Sequence, residues 1–220
     1  MSQYSLMQGI RTITLDLDDT LWAITPVIIR AEKALYEWLT EHYPKITELF
    51  SPADLLQLRQ EVVSENVEKS HDFSFLRRTV LGQVGRAAGY GDEPVEGAMK
   101  VFHALRNDVE VFPEVRPTLT ALGEKYRVIA VTNGNANLET IGLRDLFHEV
   151  IAAASVGAAK PAQAIFDVAV DAGGAGHHET LHVGDHPETD VMGANDAGLK
   201  SVWVNRDGAE WPCLLYTSDA

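Results

Sequence analysis

The sequence predicts an α/β protein, a doubly wound parallel sheet interrupted early by a bundle of helices. Three observations predict it. Short apolar runs at 12–15, 128–131, 150–153, 181–183 and 201–204 are continuous rather than alternating, as expected of parallel strands covered on both faces. Helical stretches at 115–124, 136–145, 162–172 and 188–197 separate the later runs, so strand and helix alternate. Residues 22–108 have a different texture, with few strand-like runs.

The first strand, 12–15, leads directly into Asp16, Asp18 and Asp19. Amphipathic patterns then mark helices at 26–42, 52–69, 75–89 and 94–105, with breaks at Tyr43-Pro44, Ser51-Pro52, Ser70-His71-Asp72 and Gly89-Tyr90-Gly91-Asp92. Such helices with short connections make a bundle inserted after the first strand, in the position of a lid. The remaining four strands and their helices complete a Rossmann-like core. The expected organisation is core at 1–21, helical cap at 22–108, core again at 109–210, and an atypical tail at 211–220.

The 220 residues allow one large domain, or a core with a smaller insert. A net charge of −14 argues against a general nucleic-acid or anionic-membrane binder, which needs basic surface. It leaves room for an anionic small molecule held by one local cation. Cys213 is the single cysteine, so the chain as read closes no disulfide within itself, which fits a reducing cytoplasm. The first residues lack a charged start followed by a long apolar stretch, and the run at 150–159 is too short to span a bilayer.

In open α/β sheets ligands bind at the carboxyl ends of the strands. Four such ends carry polar groups: Asp16 and Asp18 after the first strand, Thr132-Asn133-Gly134-Asn135 after the second, Lys160-Pro161 in a later loop, and Gly184-Asp185 with Asp190 five residues on. Two carboxylates about 4 Å apart repel by roughly 4 kcal/mol at an effective dielectric of about 20. Four converging aspartates therefore call for a hard cation, and oxygen ligands without a Cys or His pair favour magnesium over zinc. Thr132, the backbone at Asn133-Gly134 and Lys160 are suited to the oxygens of a phosphate, and phosphoryl transfer needs this combination of positioning and neutralisation. A carboxylate can also serve as nucleophile, with a second acid for the leaving group. Asp16 and Asp18 can both face the site if the chain leaves strand geometry after Leu15.

The constellation resembles the haloacid dehalogenase superfamily of aspartate-nucleophile phosphatases, over nearly the whole chain to about Arg206. The motif-like segments are Asp16-Leu17-Asp18-Asp19-Thr20-Leu21, Thr132-Asn133-Gly134, Lys160-Pro161 and Gly184-Asp185 with Asp190. The resemblance implies Asp16 as nucleophile and Asp18 as general acid/base. It implies magnesium on Asp16, Asp185 and the Asp18 carbonyl, phosphate on Thr132, Asn133 and Lys160, and Asp190 orienting the metal site or Lys160. It also implies a helical cap between the first two motifs. Asp18 favours phosphate chemistry, because a dehalogenase has no alkoxide to protonate.

Pro26-Val27-Ile28-Ile29-Arg30, Thr132-Asn133-Gly134-Asn135-Ala136 and Leu181-His182-Val183-Gly184-Asp185 are similar to the bacterial flavin-pathway branch, which acts on FMN or on the phosphorylated ribitylamino-uracil precursor of riboflavin. His186 stands where some relatives carry a further acid, and the ending from Pro212 is unlike the family's closing segment. Trp22, His71, Asp72, Phe73, Arg77 and Arg78 are candidate substrate or cap residues; Asp19 reads as structural. The expectation is a cytoplasmic, magnesium-dependent phosphomonoesterase, monomeric or homodimeric, acting on a small phosphorylated metabolite of flavin or sugar type. A phosphomutase, a dehalogenase or a phospho-ligand sensor without turnover are the alternatives.

Overall fold

The computed structural model describes residues 7–212. Cys213 and the tail beyond it lie outside the described residues. The chain divides into two units: Met1–Leu21, Pro113–Asn133 and Asp145–Ala220 form one, and Trp22–Phe112 with Gly134–Arg144 form the other.

The first unit carries a five-stranded sheet of β1 (Thr12–Leu15), β2 (Arg127–Thr132), β3 (Glu149–Ala152), β4 (Thr180–Gly184) and β5 (Lys200–Trp203). All neighbours are parallel, in the order β3-β2-β1-β4-β5. This is the doubly wound architecture expected from the alternating runs. β1 lies at the centre, and the order reverses on either side of it, which puts a ligand crevice at its carboxyl end. Val128, Ile129, Ala130 and Val131 are all fully buried, so β2 is covered on both faces. Ile129, Val131 and Ile151 pack with Ile165, Phe166, Ala169 and Val170 of the helix Gln163–Gly173.

The helical unit is built from α1 (Ile24–His42), α2 (Pro44–Leu49), α3 (Pro52–Glu65), α4 (Phe73–Ala87) and α5 (Pro94–Arg106). Ala31, Leu35 and Leu39 recur at four-residue spacing on α1 and pack with Leu81, Val84, Met99 and Phe102. Local chemistry sets the helix starts. The Ser51 Oγ accepts from the Asp54 N–H at 3.3 Å while the Asp54 carboxylate accepts from the Ser51 N–H at 2.8 Å, a reciprocal cap that starts α3 at Pro52. Asp72 caps α4 through the Phe75 N–H at 2.9 Å. The Tyr43-Pro44 break opens α2 rather than a loop, since proline suits a first helical turn.

Two expected core helices differ. In place of a helix at 136–145 there is a short turn of helix, Leu138–Ile141, capped by Asn137 and ended by Gly142 at φ +77°. Residues 134–144 group with the helices rather than with the core: Asn135 donates to the Ser74 hydroxyl at 3.1 Å, and the Asn137 N–H donates to the Asn107 side-chain Oδ1 at 2.7 Å. In place of a regular helix at 188–197, a π-helical turn, Pro187–Met192, precedes the α-turn Gly193–Asp196. Wide turns of this kind cluster at functional sites, and Asp190 lies within this one. No helix among the described residues is long and apolar enough to cross a membrane.

Candidate active site

β1 ends at Leu15, and the Asp16 N–H still donates to the Val183 carbonyl at 2.9 Å. Beyond it the chain leaves the ladder and turns, with the Leu21 N–H donating to the Leu17 carbonyl at 2.8 Å and Asp19 in the left-handed region at φ 59°. Aspartate tolerates that conformation better than most residues, which gives Asp19 a structural reason to be there.

Asp16, Lys160 and Asp190 converge. The Lys160 ammonium donates to Asp16 Oδ1 at 2.5 Å and to Asp190 Oδ1 at 2.6 Å. All three are buried; Lys160 is 4% exposed. Asp185 joins them, for carboxylate oxygens of Asp16, Asp185 and Asp190 all lie within 4.8 Å of one another. Burial depresses an ammonium, but the two aspartates outweigh it, and Lys160 stays firmly cationic. Burial raises Asp190, yet the His182 hydrogen bond and the Lys160 charge prevail and hold its carboxyl well below the usual range. Asp16 bears the imbalance. Its burial, reinforced by Asp190 and Asp18, outweighs Lys160 and raises it to about 7. Asp185 is raised too, by burial and then by the Asp190 charge. One lysine does not neutralise three acids, so the donor set fits an additional oxygen-seeking cation.

Neighbouring residues fix these groups. Asn133 brackets the Lys160 backbone, accepting from its N–H at 2.7 Å and donating to its carbonyl at 2.9 Å. Thr132 closes β2 and is buried. The Thr20 hydroxyl donates to Asp185 Oδ1 at 3.1 Å, while the Thr20 carbonyl accepts from Arg206 at 2.9 Å. The indole N–H of Trp203 donates to the Asp185 carbonyl at 2.7 Å. Asp190 Oδ2 accepts from the His186 N–H at 2.9 Å. Thr20, His182, Trp203 and Arg206 were not among the sequence-based candidates; His182, a titratable side chain within an apolar strand, was the visible clue.

Gly184 is dictated by packing: a Cβ there would come within 2.4 Å of the Asp190 carboxyl carbon. Gly184→Ala is expected to push Asp190 off Lys160 and lower kcat/KM about 10- to 100-fold, the usual cost of disturbing an outer-shell partner. Steady-state kinetics of the soluble variant checks this.

The six candidate substrate or cap residues, Trp22, His71, Asp72, Phe73, Arg77 and Arg78, belong to the helical unit. Trp22 is fully buried, in an isolated antiparallel bridge to Val111, so its ring is packing rather than a stacking surface. Arg77 pairs with both Glu32 oxygens at 2.7 and 3.0 Å, its guanidinium 3.5 Å from the Phe102 ring centre. Arg78 pairs with Glu96. His71 is half-buried before α4, and Phe73, which opens it, is 41% exposed.

A protein-family model described as haloacid dehalogenase-like hydrolase matches residues 10–198. The chain is 33% identical over its whole length to the Escherichia coli (strain K12) 5-amino-6-(5-phospho-D-ribitylamino)uracil phosphatase YigB, covering 92% of that protein. It is 30% identical to a glyceraldehyde 3-phosphate phosphatase of Methanopyrus kandleri, over 90% of this chain and 84% of that one. Among solved structures it is similar to a 2-haloacid dehalogenase from Pseudomonas syringae pv. Tomato DC3000, at 37% identity and a TM-score of 0.88, covering 92% of this chain and 90% of that one.

Proposed function

The chain belongs to the haloacid dehalogenase-like hydrolases, and from that premise we propose that it is a phosphomonoesterase with Asp16 as nucleophile. The observation that carries the reading is the Lys160 ammonium bridging Asp16 and Asp190 at a strand end, with Asp185 alongside. A cation beside an oxygen nucleophile suits a reacting group that brings three charged oxygens.

Asp16 attacks phosphorus as the ester P–O bond breaks, and Asp18 gives its proton to the departing oxygen. Asp18, now a carboxylate, takes a proton from water as that water attacks the aspartyl-phosphate, releasing phosphate and restoring Asp16. Lys160, Thr132 and the Asn133 turn hold the phosphoryl oxygens. Asp16 and Asp185, with the Asp18 carbonyl, would hold magnesium; bound there, it supplies charge neutralisation to the site. The likeness to the ribitylamino-uracil phosphatase supports a flavin-pathway phosphate as substrate, with FMN and sugar phosphates next in line. We place the activity in the cytoplasm, where such metabolites occur.

Phosphate release over a metabolite panel tests this: magnesium-dependent release from the ribitylamino-uracil phosphate or FMN is expected. The likeness to a 2-haloacid dehalogenase favours a second reading, halide release. Asp18 weighs against it, because displacement of halide creates no alkoxide to protonate. Halide from a 2-haloacid without phosphate from any ester would overturn the phosphatase reading.

A pH dependence follows from Asp16. Its folded value of about 7 lies above the reference of 3.8, so between those values the folded protein holds a proton that the unfolded chain has lost. This group's contribution therefore falls as pH rises through that window and is level above it. Magnesium must displace that proton, so its apparent affinity falls up to about tenfold per pH unit below 7. Thermal melts with and without magnesium should show a larger stabilisation at pH 8 than at pH 6; an equal shift at both counts against Asp16 as a ligand.

A further inference from the structure

His182 lies on β4, two residues before Gly184, and is fully buried. A buried imidazole needs partners for both nitrogens. Nδ1 lies 2.8 Å from the Thr14 hydroxyl, directly across on β1, and Nε2 lies 3.3 Å from Asp190 Oδ1. That same oxygen accepts from the Lys160 ammonium at 2.6 Å, and Asp190 Oδ2 accepts from the His186 N–H. Asp190 is thus an acceptor at both oxygens, so Nε2 must carry the hydrogen. Nδ1 is then a bare acceptor, and the Thr14 hydroxyl donates to it. The Phe166 ring stands edge-on to the imidazole, with centres 5.3 Å apart and planes at 85°, and restricts its rotation.

One directed chain results: Thr14 hydroxyl to His182, His182 to Asp190, and Lys160 to both Asp190 and Asp16. We propose that His182 is a positioning residue, whose Nε2–H sets the Asp190 carboxylate at the angle from which it shares the Lys160 ammonium with Asp16. This rests on the reading of Asp16 and Lys160 given above. The competing view is that the ring fills space and is satisfied by Thr14 alone. Glutamine and asparagine separate the two, because a glutamine amide reaches about as far as Nε2 and an asparagine amide about as far as Nδ1.

Three measurements test it. Two-bond ¹H–¹⁵N correlation spectra of the whole protein should show His182 as the Nε2–H tautomer; the Nδ1–H tautomer overturns the proposal, whether or not the protein turns over. Inorganic phosphate titrated into the magnesium-loaded protein should bind about 10- to 100-fold more weakly to His182→Asn, the range for loss of an outer-shell partner, and within about threefold of the parent for His182→Gln. kcat/KM on p-nitrophenyl phosphate should follow the same order. Equal losses in both variants at matched melting temperatures would make the ring a space-filler and reject the role. Should either fail to fold, Thr14→Val, which exchanges the hydroxyl for a methyl of similar size, serves instead: mixed tautomers and weaker phosphate binding support the chain, and an unchanged spectrum and affinity reject it. A parent protein inert towards every ester would count against the phosphatase function, while the spectrum and the phosphate titration would still decide the role of His182.

Discussion

Asp16→Asn is expected to abolish phosphate release, by about 10⁴-fold or more, since the proposed mechanism makes Asp16 the nucleophile and removing a nucleophile costs on that order or beyond. The side chain keeps its shape, and the asparagine carbonyl still accepts from Lys160. What is lost is the negative charge that the proposed mechanism uses for attack and for holding magnesium. The same substitution is expected to leave the metal-free protein at least as stable at pH 8 as the parent. The reason is that Asp16 is ionised there against its own burial and against Asp190 and Asp18. Urea unfolding beside a phosphate-release assay checks both halves. Retained turnover would remove Asp16 from the chemistry, and a large drop in stability would mean that its charge holds the fold together.

Lys160→Met costs both activity and stability. Removing a stabilising donor from a reaction site typically costs about 10²- to 10³-fold in kcat. The larger expected effect is electrostatic. Lys160 is the cation shared by two buried aspartates, and breaking a buried pair by removing one partner costs about 3–5 kcal/mol. Lys160 pulls Asp16 down, so without it Asp16 climbs beyond 7 and remains protonated at neutral pH. That proton relieves the repulsion at pH 6 and is lost at pH 9. The stability deficit should therefore grow with pH, read from urea midpoints at both values. A deficit independent of pH would mean that lost packing of the stem outweighs the lost charge. Lys160→Arg is a poor rescue, because a planar fork needs room that this buried corner lacks.

The sheet was legible because its strands are continuous apolar runs whose burial leaves one reading. Observed bounds such as Thr12–Leu15 and Thr180–Gly184 fall within a residue or so of expectation. The helices were less so. The run at 136–145 has helical composition, but Gly142 in the left-handed region ends the turn early, and Asn135 and Asn137 are engaged by Ser74 and Asn107. Pairings of that kind join residues 30 to 61 positions apart and leave no local periodicity. Asp16, Lys160, Asp185 and Asp190 could be named in advance because charged groups at the ends of apolar strands have few other uses. The residues that aim them were hidden. Thr20 and Arg206 look like ordinary surface polar residues, and His182 looks like part of a strand. Their significance depends on partners 165 and 186 residues away for Thr20, and on the register of β4 against β1 for His182.

The Asn133 bracket around the Lys160 backbone has a consequence for how this protein can diverge. Two hydrogen bonds, one to each side of the lysine's main chain, tie positions 27 apart in sequence. The cation's address is thereby written into residue 133 and not into the stretch between. The loops in that stretch can change length or composition while the ammonium stays where it is, as long as β3 keeps its place beside β2. Asn133→Asp, differing by a single amide, would set a carboxylate oxygen against the lysine carbonyl and unlatch it. Variation should therefore accumulate in the loops between the two residues and spare the pair and β3.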